Sequence, residues 1–541
     1  MDDSHTGSLA QDARPAAVGE RMLGLALAVG AQVVLVLSLM SRVLHPWVNS
    51  DHLYPHAFAR DLLYGTASVG DWKFGTAPFF LPDYSLFLPL IALTGTDGWS
   101  YTLYALIQFA ALSLAVGWLL SEALPEGSKQ RALHVAFWGI NGLLLVQWVS
   151  THALSLWWLA LPGFHGGALL GGLLWVAWQM RLFRQRTTID RKRVAIGALV
   201  ITLVTFSNVL FFFYFVLPWA LVLVARHWKN PLERARVRAT GWMVAWGLGG
   251  FLALKLASAL TEYFAFARHF RYFPSPAHLA ETAVALIETF RRPIWELAGL
   301  VLVASLGTVV WLLVARKRLR MERSRLLAEW LLVQTAIVCA LPIASGYWKD
   351  AMSARYWLPL WLLPVIGLGL MVMTRFTASR RSLRWLAMAG ALVLIVVVGF
   401  RLPWENPRRW AFPSVTRVET LDTLARDRGW KRGLAEYWNF HYANELAGGD
   451  APWRVLPVEP DGQPYFWCVN VAWFLAPDGA TWPRYDFVII DGLGPAQIEA
   501  AYGPPDAVLQ AGEWTVWEYR EGQQDGLQAT MEAPVREFLG L

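Results

Sequence analysis

The 541-residue chain is 56% hydrophobic and only 16% charged, with a mean hydropathy of +0.37. Soluble chains carry about 25% charged residues, so a string of ordinary soluble domains is excluded. The net charge of +7 would suit nucleic acid, but the basic residues sit between apolar segments, a pattern of membrane orientation that excludes that partner.

The first 20 residues are polar and mixed in charge, without a signal-peptide layout, so the first apolar segment is expected to be retained. Met22–Ser41 is long enough to cross a bilayer core of about 30 Å. Further spans are predicted at Trp99–Leu120, Ala132–Val149, Gly163–Phe183, Val194–Ser207, Val209–Ala225, Thr240–Leu260, Pro293–Ala315, Leu326–Ser345, Tyr356–Thr374 and Trp385–Leu402, eleven in all. Almost no loop separates the two that meet at Ser207-Asn208. Charge arbitrates. The connections SEALPEGSKQR, RLFRQRTTIDRKR, RHWKNPLERARVR, RKRLRMERSR and RFTASRRSLR fall on one side and hold every dense basic run. The positive-inside rule makes that side cytoplasmic. The N-terminus is then inside, and the first loop and everything after Leu402 are outside. The expected class is a mainly α, polytopic membrane protein of about eleven transmembrane helices with a C-terminal extracytoplasmic α/β domain. The predicted division is 1–402, including a large first outside loop 45–97, and 403–541.

Within that loop, His52–Leu63 reads as a short amphipathic helix, and Tyr84–Leu93 as a segment lying at or entering the membrane surface. In the C-terminal part, Thr416–Arg428, Leu434–Leu446 and Pro495–Ala501 read as helices. Arg454–Val458, Asp486–Asp491, Ala507–Leu509 and Thr515–Tyr519 read as strands. The DGLGP turn at Asp491–Pro495 lacks dinucleotide-site spacing. Cys339 and Cys468 lie in segments of different character and give no disulfide framework.

The first loop concentrates ionisable groups among aromatics beside a span, which is costly unless they line an aqueous or catalytic surface. Asp51 in Ser50-Asp51 could simply cap a helix, and Asp83 in FFLPDYS could cap the next. Two outside carboxylates bracketing one loop can also act together. One takes a proton from an attacking hydroxyl, while the other orients it, binds the acceptor or holds a divalent cation. His52, His56 and Arg60 recur every fourth residue, so they share a helical face. The bland reading is a wet polar face, and the functional one is substrate contact. Zinc would need a third ligand that is not evident nearby. His152 and His165 flank a short outside loop and are candidates for sugar or phosphate contact. Arg268, Lys349 and Arg355 could be interfacial anchors, or could recognise a lipid-borne phosphate, Arg355 beside Tyr356 at the mouth of a span.

These features together resemble the GT-C superfamily of integral-membrane glycosyltransferases, in particular bacterial aminoarabinose-to-lipid A transferases and protein O-mannosyltransferases. The residues that carry the likeness are Asp51 soon after the first span, Asp83 in a Pro-rich aromatic context, His165 in PGFH, and Arg355-Tyr356 before a late span. The acidic pair Asp51-His52 departs from the Asp-Glu of the mannosyltransferases. The resemblance implies transfer of a sugar from a polyprenyl-phosphate donor to an acceptor hydroxyl at the outer face of a bacterial cytoplasmic (inner) membrane. It implies inversion at the anomeric carbon and a lipid or glycan acceptor. In that scheme Asp51 is the base and Asp83 its assistant. Lys349, Arg355, His165 and Arg268 hold the donor phosphate, and His52, His56, Arg60, His152 and Tyr356 contact substrate. No cofactor is required, although a divalent cation remains open. Two other classes are compatible with the composition: a lipid or polysaccharide transporter or flippase, and a lipid-carrier-dependent polysaccharide polymerase or ligase.

Overall fold

In this computed structural model the described residues are 6–43, 50–65, 68–95, 99–149, 156–185, 191–227, 234–261, 264, 275–291, 297–349, 351–375, 381–402, 404, 416–447, 451–475, 482–519 and 525–539. The helices in chain order are α1 (Thr6–Ser38), α2 (Ser50–Tyr64), α3 (Ser85–Thr94), α4 (Trp99–Ala123), α5 (Lys129–Val149), α6 (Gly166–Gln185), α7 (Arg191–Ser207), α8 (Leu217–His227) and α9 (Arg234–Leu260). They continue as α10 (Pro276–Arg291), α11 (Leu297–Ala315), α12 (Glu322–Ala344), α13 (Leu358–Arg375), α14 (Arg381–Gly399), α15 (Thr416–Arg428), α16 (Tyr437–Leu446), α17 (Pro495–Tyr502) and α18 (Asp525–Leu539). The described part of every predicted span falls mainly on helix. Among the described residues, six stretches are long and apolar enough to cross a membrane: Gly19–Ser41, Trp99–Ala123, Lys129–Val149, Val237–Leu260, Glu322–Ala344 and Ser353–Thr374.

The chain packs as two units. The first comprises Met1–Val43, Thr102–Leu252 and Arg271–Trp404. Here α1 lies against α5 and α14, and α11 against α13. Apolar helices in lipid gain little from hydrophobic contrast, so close packing and satisfied polar groups hold them together. Gln32 Nε2 donates to Ser113 Oγ at 2.8 Å, and Asn141 Nδ2 donates to the Ala28 carbonyl at 2.7 Å. Gly172 lies so close to Phe215 that a Cβ there would come within 2.2 Å of the ring, which any side chain would disrupt.

The second unit comprises Leu44–Tyr101, Ala253–Phe270 and Glu405–Leu541. Its centre is a five-stranded sheet of β1 (Arg432–Glu436), β2 (Arg454–Val458), β3 (Phe487–Ile489), β4 (Ala507–Ala511) and β5 (Trp514–Glu518), in the order β2-β1-β3-β5-β4. The β2, β1 and β3 strands run parallel, and β5 and β4 add antiparallel pairs. Residues 434–436, predicted as helix, are instead part of β1. Gly433–Ala435 are buried as a continuous run between two parallel neighbours, so no alternation betrays the strand. Helix α18, for which the sequence reading has no element, buries Leu527, Met531 and Val535, spaced four apart on one face.

Packing does not divide the chain at residue 402. Leu53, Tyr54, Ala57 and Phe58 of α2, with Trp72, Phe74 and Tyr84, belong to the same apolar core as Leu434, Phe440, Val455 and Phe487. The predicted amphipathic helix is therefore corrected: α2 is buried on nearly every side, because it serves as a core helix of this unit.

Candidate functional site

The four-residue spacing in α2 finds its counterpart in α16, where Tyr437, His441 and Glu445 also recur every fourth residue on one face. The two helices pack together through several polar contacts. Tyr437 donates its hydroxyl to Asp51 Oδ1. The His441 backbone N–H donates to Ser50 Oγ at 3.2 Å. Glu445 takes His56 Nδ1 at 2.7 Å on one oxygen and Arg60 Nη2 at 2.8 Å on the other. The expected wet face of His52, His56 and Arg60 is thus a docking face. His52 and His56 are each only 1% exposed, and the Arg60 guanidinium is committed to an ion pair. Tyr101 completes the enclosure, donating its hydroxyl to the His52 carbonyl at 2.8 Å and stacking on His56.

Asp51 lies in the first turn of α2. Burial, reinforced by the charge of Asp51, pushes the Tyr437 hydroxyl well above its ordinary range, so Tyr437 remains a donor. Beyond it lies Cys468, whose thiol is likewise pushed up by burial and by Asp51, leaving it protonated and a poor nucleophile. Asp83 is 1% exposed and precedes Tyr84, whose ring stands edge-on to Tyr54 with centroids 6.1 Å apart. Burial pushes the Tyr54 and Tyr84 hydroxyls well above their ordinary range, with smaller contributions that include the charge of Asp51 at Tyr54 and of Asp83 at Tyr84. Both carboxylates thus belong to the second unit, Asp83 immediately before Tyr84 in the chain.

Burial disfavours the Glu445 carboxylate, but Arg60, the His56 hydrogen bond and charge, and His441 outweigh that cost and hold the group down at about 2. Burial keeps His441 neutral, lowering its ring to about 4 against the pull of Glu445 and of the Cys468 carbonyl, which accepts Nε2–H at 2.8 Å. The unfolded chain would protonate His441 below its ordinary 6.5 and Glu445 below its ordinary 4.5. It therefore binds more protons than the folded chain as pH falls, and stability falls with it. The loss is expected to set in below about pH 6.5 from His441, and to deepen below about 4.5 as Glu445 joins. Thermal midpoints of the purified protein should drop steadily from pH 7 to pH 4. A midpoint that is flat or rises over that range refutes the assignment.

The first unit carries a separate cluster. Arg355, on the short helical turn Ala351–Trp357, places its guanidinium carbon 5.4 Å from the Trp158 ring centroid and 5.2 Å from that of Tyr356. The His165 ring lies 5.5 Å from Tyr356. Asn208 Nδ2 approaches His165 Nδ1 at 3.0 Å, and Asn208 Oδ1 accepts the Leu210 backbone N–H at 3.1 Å. That second bond fixes which way the amide faces. An amide nitrogen only donates, so His165 Nδ1 accepts and Nε2 carries the proton of a neutral ring. The arrangement is a guanidinium and an imidazole N–H donor held among aromatic faces, which suits an anionic oxygen.

Arg355, Tyr356 and His165 are thus brought together. Lys349, on the same loop, is exposed, and its backbone N–H donates to Ser353 Oγ at 3.0 Å. His152 and Arg268 lie outside the described residues. Sequence reasoning missed Tyr437 and Asn208. The repeat of Tyr437, His441 and Glu445 could have pointed to the first, but Asn208 had read only as a break between spans. Among the described residues no three His, Cys, Asp or Glu side chains group to hold a metal ion, and the His52/His56 pair is spent on packing.

No protein-family model matches the chain, and no curated protein sequence does. Among solved structures it is similar to the oligosaccharyltransferase of Archaeoglobus fulgidus. Against the apo form the TM-score is 0.40 at 11% identity, covering 78% of this chain and 64% of that one. Against the complex with Zn and sulfate it is 0.39 at 10% identity, covering 85% and 67%. Against the form tethered with an acceptor peptide containing the NVT sequon it is 0.39 at 11% identity, covering 92% and 74%. In the first of these alignments the chain spans less than two thirds of the archaeal chain.

Proposed function

We propose that this chain is an integral-membrane glycosyltransferase of GT-C type with eleven spans. It moves a sugar from a polyprenyl-phosphate donor to an acceptor hydroxyl at the outer face of a bacterial cytoplasmic membrane. The observation that carries the reading is the carboxylate of Asp51, held in the first turn of α2 by the phenol of Tyr437.

In this reading Asp51 takes the proton of the acceptor hydroxyl as its oxygen attacks the anomeric carbon. The bond from that carbon to the phosphate oxygen breaks on the opposite side, so the configuration inverts and polyprenyl phosphate departs with the electron pair. A phosphate leaving group needs cations more than a general acid, a role given to Arg355, Lys349 and Arg268 with the N–H of His165. Tyr437 is a positioning residue, and His56 and Arg60 hold α2 rather than touch substrate.

The test is release of polyprenyl phosphate by purified protein offered a panel of polyprenyl-phosphate sugars and acceptor lipids or glycans. Turnover with a donor supports the reading, and none with any donor moves it to the transporter class. Tyr437→Phe separates positioning from scaffolding. A hydrogen bond to a charged group contributes about 1.5–3 kcal/mol, so kcat/KM should fall roughly tenfold or more. The acid limb of the pH–rate profile should move upward, because the bond favours the ionised carboxylate. A purely structural tyrosine would leave that limb in place.

A further inference from the structure

Apart from the Asp51 network, the second unit contains a cavity of about 570 Å³, a size that accommodates a small ligand. Its lining includes Asp71, Lys73, Leu260, Thr261, Leu475 and Phe538. Asp71 and Lys73, two residues apart, are the charged side chains among its described lining. Lys73 is 7% exposed and holds its ammonium 4.4 Å from the centroid of the Phe538 ring, which is itself stacked on Phe466 at 3.9 Å. Asp71 is fixed by the Ser68 backbone N–H, donated to Oδ2 at 2.6 Å. Leu260 ends the apolar, largely exposed stretch Val237–Leu260 and is itself 74% exposed. One wall of the cavity is therefore the end of a helix suited to lipid.

We infer that this cavity seats the headgroup of a zwitterionic phospholipid of the phosphoethanolamine type, with its first acyl segment along Leu260 and Leu475. A plain anion would meet Lys73 but also the Asp71 carboxylate, and a plain cation would meet the reverse. A headgroup carrying both a phosphate and a primary ammonium matches the pair. A choline headgroup lacks the N–H donors that a carboxylate accepts. The apolar wall beside the charges suits an amphiphile over a free phosphate ester. The inference rests on the membrane reading of the chain and is independent of glycosyl transfer.

The test is lipid retention by the full chain, delipidated and then equilibrated in mixed micelles of phosphatidylethanolamine, phosphatidylglycerol and phosphatidylcholine, with bound lipid read by native mass spectrometry. The wild-type chain should retain phosphatidylethanolamine several-fold over the other two. Asp71→Asn keeps an oxygen for the Ser68 N–H but removes the charge, so preference over phosphatidylglycerol should vanish. Lys73→Gln should lower retention of all three lipids, since each carries the phosphodiester that the ammonium would meet. Equal retention of all three lipids by the wild type, or an unchanged ratio in Asp71→Asn, overturns the inference. The second readout decides even if Lys73→Gln fails to fold. Retention of glycerophosphoethanolamine alone, as tightly as the intact lipid, would assign the site to a soluble ester and also overturn it. Turnover scored on the same preparations tells failure here from failure of the transferase reading.

Discussion

Asp51→Asn is expected to lower release of polyprenyl phosphate by about 10²- to 10⁴-fold, the usual contribution of a positioned general base. The substitution is a fair test because it spares the architecture. An asparagine Oδ1 still accepts the Tyr437 hydroxyl, and the first turn of α2 tolerates either residue. The thermal midpoint should therefore stay within a few degrees of wild type, a shift of about 1 kcal/mol or less. What disappears is the ability to take a proton. Near-normal turnover would remove Asp51 as the base and bring forward a polymerase or ligase that relies on cationic side chains alone.

Glu445→Ala should be among the most destabilising substitutions in the second unit, by about 3–5 kcal/mol. Its carboxylate is fully buried between His56 and Arg60, and removing it strands the Arg60 guanidinium, which is only 16% exposed, without its partner. The size of that effect does not measure what the ion pair contributes to folding, since both charges were desolvated to make it. The double replacement Arg60→Met with Glu445→Leu removes both charges while keeping bulk, and should recover most of the loss. Denaturant or thermal unfolding of the three proteins checks this. If the double variant is as unstable as the single one, stability there comes from something other than paired charge. Because α2 carries Asp51, the single variant should also lose turnover, and the double should regain part of it.

The apolar segments, the charge bias of the connections and most strands of the sheet were legible in the chain, because hydropathy and short-range pattern report local burial. The strand β1 was not, since a run buried on both faces looks like the start of the helix that follows it. The carboxylates were legible as residues, and Arg355 and His165 as neighbours of span ends. Their companions were not. Asn208 acts through the direction of one amide, which composition does not encode.

By itself the sequence determined that the chain is rich in long apolar segments, with most of its charged residues gathered between them. Only the tertiary structure decided that α2 is a core helix. His56 and Glu445 are 389 positions apart, and no local period predicts that a face spaced by four residues in one segment will be answered by another so distant. Desolvated charges demand partners wherever the fold can supply them, and here the C-terminal region supplies one for Arg60 and a donor for Asp51.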